Sequence, residues 1–97
     1  MAYKISVSFK AQMEFFDALE YYNDVSTLIP ARFIAAIEET YTKLSVNLFY
    51  QIRKNSLRAI PVKGFPYLLF FSINESDKVV KVLSCFHTSK HPRKYPN

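Results

Sequence analysis

The stretch that most constrains the fold is "YLLFFSI", residues 67–73, because it is apolar on both faces of an extended chain. Such a strand must be covered on both sides, so the sequence predicts the central strand of a packed sheet. The polar "NESD" that follows is typical of a hairpin turn, and "KVVKVLSCF" is expected to return as the next strand. This hairpin is the predicted centre of the domain.

The first half of the chain changes from the period of a strand to that of a helix. "YKISVSF" alternates apolar and polar residues, which predicts a strand with one buried face. From Ala11 the apolar residues fall on one helical face, with Glu14, Asp17 and Glu20 pointing elsewhere, and "ND" at 23–24 is expected to end the helix. That face consists of Ala11, Phe15, Ala18 and Tyr22.

A second helix is predicted to open at "STLIPARF" and to form an antiparallel hairpin with the first. Ser26 or Thr27 can cap its free N–H groups, and Pro30 is tolerated in a first turn. The apolar residues then recur at helical spacing, as Ile34, Ile37, Tyr41 and Leu44.

"LRAIPVK", residues 57–63, predicts a further strand, and the proline within it favours an edge or a bulge. The glycine and proline of "KGFPY" predict a turn before the central hairpin. The fold class is therefore α+β, in the order β-α-α-β-β-β, with a two-helix hairpin on one face of a small, mostly antiparallel sheet. The other face of the sheet is expected to be an open docking surface, or one filled by the tail or a second subunit.

Length and composition predict one domain spanning residues 1–97. No apolar run is long enough to cross a bilayer, and the first ten residues lack the apolar block of a signal peptide. A single cysteine, Cys85, rules out an internal disulfide, so a cytoplasmic location is expected.

The charge is divided unequally along the chain. Residues 1–42 hold three Lys or Arg and six Asp or Glu, whereas residues 43–97 hold ten Lys or Arg and only two Asp or Glu. A small domain with a basic second half suits an anionic macromolecule or an acidic peptide.

Four motifs in this order resemble the RelE/ParE superfamily of toxins from type II toxin–antitoxin (TA) systems: "EYYND", "ARF", "RAIPVKGFPYLLFF" and "HTSKHP". The closest likeness is to ParE-like members. They carry an arginine ahead of a Phe-Pro-Tyr turn, and a histidine followed by an arginine and a proline. The matching positions here are Arg58, residues 65–67, His87, Lys90 and Pro92. Lys90 stands where arginine is usual, and a lysine cannot form the two-pronged contacts of a guanidinium.

The resemblance implies a growth-inhibiting toxin, neutralised by a cognate antitoxin that folds upon it, with no cofactor, metal or membrane. ParE-like members act on DNA gyrase, without catalysis of their own. RelE-like members instead cleave messenger RNA on the ribosome as metal-free endoribonucleases. A toxin-like protein without activity is a third alternative.

The two targets require different site residues. Metal-free RNA cleavage needs a base, an acid and a cation around one phosphate, for which His87, Arg58 and Lys90 are the candidates, with Tyr95 a weaker one. In the gyrase alternative, Arg58, His87 and Lys90 would bind the target together with Arg93 and Lys94. His87 could instead hydrogen-bond the turn that follows it, and Arg58 could pair with a helix carboxylate. The "HTSKHP" ending, with no clear catalytic tyrosine after His87, favours gyrase.

Overall fold

A computed structural model describes residues 3–46, 52–54 and 57–89. Its elements are β1 (Lys4–Val7), α1 (Phe9–Val25), α2 (Ile29–Val46), β2 (Ile52–Lys54), β3 (Leu57–Pro61), β4 (Tyr67–Asn74) and β5 (Val79–His87). The predicted α+β order is confirmed, with one short strand, β2, added between α2 and β3. The sheet runs β1-β5-β4-β3-β2, and all neighbours are antiparallel except β1 and β5.

The β4–β5 hairpin lies at the centre of the sheet and is buried on both faces, as its sequence predicts. Leu69 and Phe71 of β4 pack with the helices, whereas Phe70 packs on the second face. Of the predicted alternatives for the second face, the open one is wrong for this part of the sheet, and its filling by the tail, residues 90–97, concerns a segment outside the described residues. The side chains of the second face there are at most 4% exposed: Leu57, Ala59, Phe70 and Phe86.

β3 shows why a proline is tolerated in a sheet. Among the described residues, β2 pairs with β3 only at Leu57 and Arg58, so no described strand requires the missing N–H of Pro61. The turn after β3 contains Gly64 at φ 83°, a conformation that side chains with a Cβ rarely adopt. This turn directs Phe65 towards the helices, where its ring lies 5.1 Å from that of Phe33.

The helices are joined to the sheet by a cluster of aromatic rings centred on Phe33, which is fully buried. Its ring centroid lies 5.1 to 5.5 Å from four other rings, those of Phe15, Tyr22, Phe65 and Tyr67. The sequence prediction placed Ile34 on the inner face of α2 instead, and this is wrong, because Ile34 is 37% exposed. The inner face is set by Phe33, Ile37, Thr40 and Leu44.

Both helices begin at serine caps, one of which the sequence located correctly. Ser26 Oγ accepts the N–H groups of Leu28 and Ile29 ahead of α2. α1 begins at Phe9, two residues before the predicted start, because Ser8 Oγ accepts the Ala11 N–H at 3.1 Å. α1 also continues past the predicted stop to Val25, and the Ser26 N–H closes its last turn by donating to the Tyr22 carbonyl. Neither helix is apolar enough over its length to span a membrane.

Beyond Val82, the edge of β5 that faces β1 has no strand neighbour among the described residues, because the pairing of β1 with β5 ends at Val7 and Val82. The Ser8 N–H donates to the Val82 carbonyl at 2.9 Å, and the Ser8 hydroxyl donates to the Leu83 carbonyl at 3.2 Å. One turn into α1, Glu14 supplies the next contact. α1 therefore takes the place of a strand along this edge.

Glu14 holds two donors of β5 on one carboxylate oxygen. Its Oε1 accepts the Ser84 hydroxyl at 2.8 Å and the Cys85 N–H at 3.2 Å. The sequence prediction that Glu14 points away from the core is therefore wrong, because the carboxylate satisfies backbone and side-chain groups that β1 does not reach. Burial, and secondarily the neighbouring Glu14 carboxylate, raise the pKa of the Cys85 thiol to about 12.

We expect Glu14→Ala to lower the free energy of unfolding by about 2–3 kcal/mol, because it leaves two nearly buried donors on β5 without an acceptor. Urea unfolding followed by circular dichroism measures the change. Glu20→Ala on the exposed side of α1 is the matched control and should change the value by about 0.5 kcal/mol or less. Equal losses in the two variants would contradict the assigned role of Glu14.

We expect the Cys85 thiol of the native protein to resist alkylation by iodoacetamide at pH 8.5, since its raised pKa keeps it protonated and the side chain is 4% exposed. In guanidinium chloride at about 6 M, which unfolds the chain, the same thiol should react at the rate of a free cysteine. Mass spectrometry of timed samples gives both rates. Native-state alkylation as fast as that of the unfolded chain would show that the thiol is not held in the core.

Candidate functional site

His87, the first predicted site residue, lies at the end of β5 and is fixed from two sides. Its ring packs edge-on against Tyr67 at 5.0 Å between centroids. The Ser89 N–H donates to His87 Nδ1 at 3.1 Å, and the Ser89 hydroxyl lies 2.6 Å from the same nitrogen. Nδ1 therefore accepts the Ser89 N–H in this arrangement. The hydrogen bond to the following turn, an alternative left open by the sequence, is present.

Arg58 occupies a different part of the sheet. It is half-buried on β3 opposite Phe71, and lines a cavity of about 490 Å³ near the β4–β5 turn. The other lining residues are Ile73, Asn74, Glu75 and Ser76. His87 lies opposite Tyr67, four positions from Phe71 along β4. At about 3.3 Å per residue, this separates Arg58 from His87 by roughly 13 Å along the strand direction.

The two residues therefore line separate cavities, and the described part of the structure does not gather them around one phosphate. The remaining predicted site residues, Lys90, Arg93, Lys94 and Tyr95, lie outside the described residues. Their roles stay predictions.

The cavities beside His87 form a cleft between the outer part of α1 and the end of the β4–β5 hairpin. Two adjoining cavities share Tyr21, Tyr67 and His87 as lining residues. We call the whole the Tyr67 cleft. Its acidic end, of about 190 Å³, contains Glu14 and Asp17. Its aromatic end, of about 350 Å³, adds Tyr22 and Pro66.

Neither Tyr67 nor Cys85 can act as a proton carrier near neutral pH. Burial is the main cause that raises the pKa of Tyr67 to about 12, with smaller contributions from Tyr22, Cys85 and Tyr21. The phenol and the thiol therefore remain protonated, and the cleft offers them as neutral groups. Within residues 3–46 and 57–89, no three His, Cys, Asp or Glu side chains are grouped so that they could hold a metal ion.

Sequence reasoning missed the Tyr67 cleft, because it assigned Tyr67 to a turn and the core. One signal was present: Asp17 and Tyr21 are four residues apart and therefore neighbours on one face of α1. That this face meets the end of β5, where His87 lies, depends on the docking of α1, which only the structure shows.

No known family model matches the sequence, and no curated protein is significantly similar to it. The fold, however, matches a chain of a solved structure, the "Chromosomal ParDE TA system from P. aeruginosa". The TM-score is 0.71 at 14% sequence identity, over 89% of this chain and 96% of that chain. The predicted likeness to ParE-like proteins is thus confirmed at the level of the fold: this chain has the architecture found in the ParDE system.

Proposed function

We propose that the protein is the toxin of a type II TA system, a growth inhibitor held inactive by a cognate antitoxin. The observation that carries this proposal is the shared fold over nearly the full length of both chains. The motif resemblance of the sequence supports the proposal independently, because the motifs concern residue types whereas the shared fold concerns the path of the backbone.

The proposed target is DNA gyrase. Support comes from the ParE-like positions Arg58, His87 and Pro92 and from the geometry of the site. An endoribonuclease needs its base and its cation on one phosphate, whereas Arg58 and His87 line separate cavities. Surface contact with a large target has no such requirement. In this function, Arg58, His87, Lys90, Arg93 and Lys94 bind gyrase.

The proposed antitoxin segment is acidic and partly helical, and it covers the helical hairpin and the sheet edge. An apolar stripe on α1 supports this placement: Phe9, Met13 and Phe16 are 77%, 46% and 55% exposed and lie at helical spacing. Covering this exposed stripe would add a hydrophobic contact to the attraction between an acidic segment and the basic second half of the chain.

Expression of the chain without an antitoxin should arrest growth, because nothing would mask the proposed target-binding surface. The purified protein should then block gyrase supercoiling and trap DNA breaks while leaving messenger RNA intact in a coupled translation reaction. Breaks in messenger RNA at codon spacing would overturn the gyrase proposal in favour of the nuclease. Normal growth at high levels of folded protein would show a toxin-like protein without activity.

Replacing both His87 and Lys90 with alanine should weaken toxicity through loss of contact with the target. Lys63→Ala removes the same charge from an exposed position outside the proposed site, and serves as the matched control. Growth curves at equal protein levels, checked by immunoblot, measure the effect. Unchanged toxicity in the double variant would place the working surface elsewhere.

A further inference from the structure

The apolar stripe of Phe9, Met13 and Phe16 lies on the side of α1 that faces away from the sheet. Ala11 and Ala18 are 2% and 4% exposed and lie on the opposite side of the helix, at about 3.6 residues per turn. The stripe residues are spaced by four and then three positions, which is the spacing of the contact positions in a coiled coil. α1 therefore has one face packed on its own sheet and a second face of the kind that packs on another helix.

The stripe is held in place before any partner binds, and its area is small. The Phe16 ring packs edge-on against Phe15 at 5.6 Å between centroids, and Phe15 stacks on Phe33 at 5.5 Å. Side chains that are already fixed lose little entropy on association. The stripe exposes about 350 Å² of apolar surface, at roughly 200 Å² for a fully exposed side chain of this size. Since a stable interface covers about 800 Å² on each partner, the stripe suits a weak and reversible contact.

The charges beside the stripe favour a second copy of the same helix. Lys10 and Asp17 are both exposed and lie on the same flank of the stripe, seven residues apart. If two copies of α1 pack antiparallel about a two-fold axis at Met13, Lys10 of each copy lies beside Asp17 of the other. This arrangement forms two equivalent ion pairs. A parallel pair would instead place Gln12 beside Asp17 and would form none.

We propose that the free chain forms a weak two-fold dimer in which the stripes of two α1 helices pack antiparallel. Phe9 of each copy contacts Phe16 of the other, and Met13 contacts its counterpart on the axis. Glu20 is exposed and occupies the next position of the repeat, so a pair shifted along the stripe would press a carboxylate against an apolar side chain. The register of the dimer is therefore fixed.

The dimer competes with the proposed antitoxin segment, because both cover the same stripe. Binding of the antitoxin would therefore separate the two copies. This consequence rests on the proposed function, whereas the dimer itself does not depend on toxicity or on gyrase.

The first test is analytical ultracentrifugation of the purified chain from about 10 µM to about 1 mM. The sedimentation coefficient should rise with concentration towards that of a dimer, with a dissociation constant on the order of 0.1 mM, as expected for an interface of this size. A chain that stays monomeric over the whole range would overturn the proposal and leave the stripe to the antitoxin segment alone.

A substitution on the axis tests whether the stripe is the interface. Met13→Glu should abolish the association, because it sets two like charges against each other in an apolar contact. Leu28→Glu makes a similar change at a position that is 67% exposed and away from the stripe, and it should leave association unchanged. Circular dichroism of each variant at low concentration shows that it is folded. Association that survives Met13→Glu would place the interface on another face and contradict the proposal.

Charge reversal tests the antiparallel arrangement. Lys10→Glu or Asp17→Lys alone turns both ion pairs into repulsions and should weaken association about tenfold or more. An equal mixture of these two variants should associate again, because the charges of each then complement those of the other. Lys63→Glu and Glu38→Lys are the matched controls at exposed positions off the stripe, and neither should change association. Failure of the mixture to recover, or equal weakening by the controls, would overturn the antiparallel dimer.

Discussion

The structure depends on how the unpaired edge of β5 is satisfied beyond Val82. β1 is too short to cover it, and backbone groups left there without partners would cost stability. Ser8 precedes α1 and Glu14 lies six residues later. Ser8 hydrogen-bonds the carbonyl groups that β1 does not reach, and Glu14 accepts an N–H there. This contact fixes the position of α1. The aromatic cluster around Phe33 then fixes α2 against it, and the remaining gap between α1 and the end of β5 is the Tyr67 cleft.

The parts of the fold that could be predicted from sequence are those whose causes are local. The two-faced apolar run of β4, the turn after it and the Ser26 cap each depend on a few adjacent residues, and the structure confirms them. The role of Glu14 could not be predicted, because its partners are 70 and 71 residues away in the chain. The choice of Phe33 over Ile34 as the inner residue of α2 likewise depends on rings from α1 and β4. Hydrophobic spacing alone does not distinguish two apolar neighbours.

The candidate site shows the same division. His87 could be located from sequence because it ends a strand, and Arg58 because it lies within one. Their separation depends on the registers of β3 with β4 and of β4 with β5. That separation bears on function, because an arginine and a histidine held far apart suit a surface that binds a large partner better than a centre that cleaves one bond. The proposed toxin function describes the domain as a binding module.

Hydrogen exchange at the Cys85 amide tests the β5 edge contact most directly, since this N–H donates to Glu14 and no described strand lies on that side. In the native chain the amide should be protected. In Glu14→Ala its exchange should accelerate about tenfold or more beyond the change at Leu69 and Phe71 of β4, which report the global loss of stability. Exchange at Cys85 that follows Leu69 and Phe71 without any extra acceleration would contradict the claim that α1 replaces a strand at this edge.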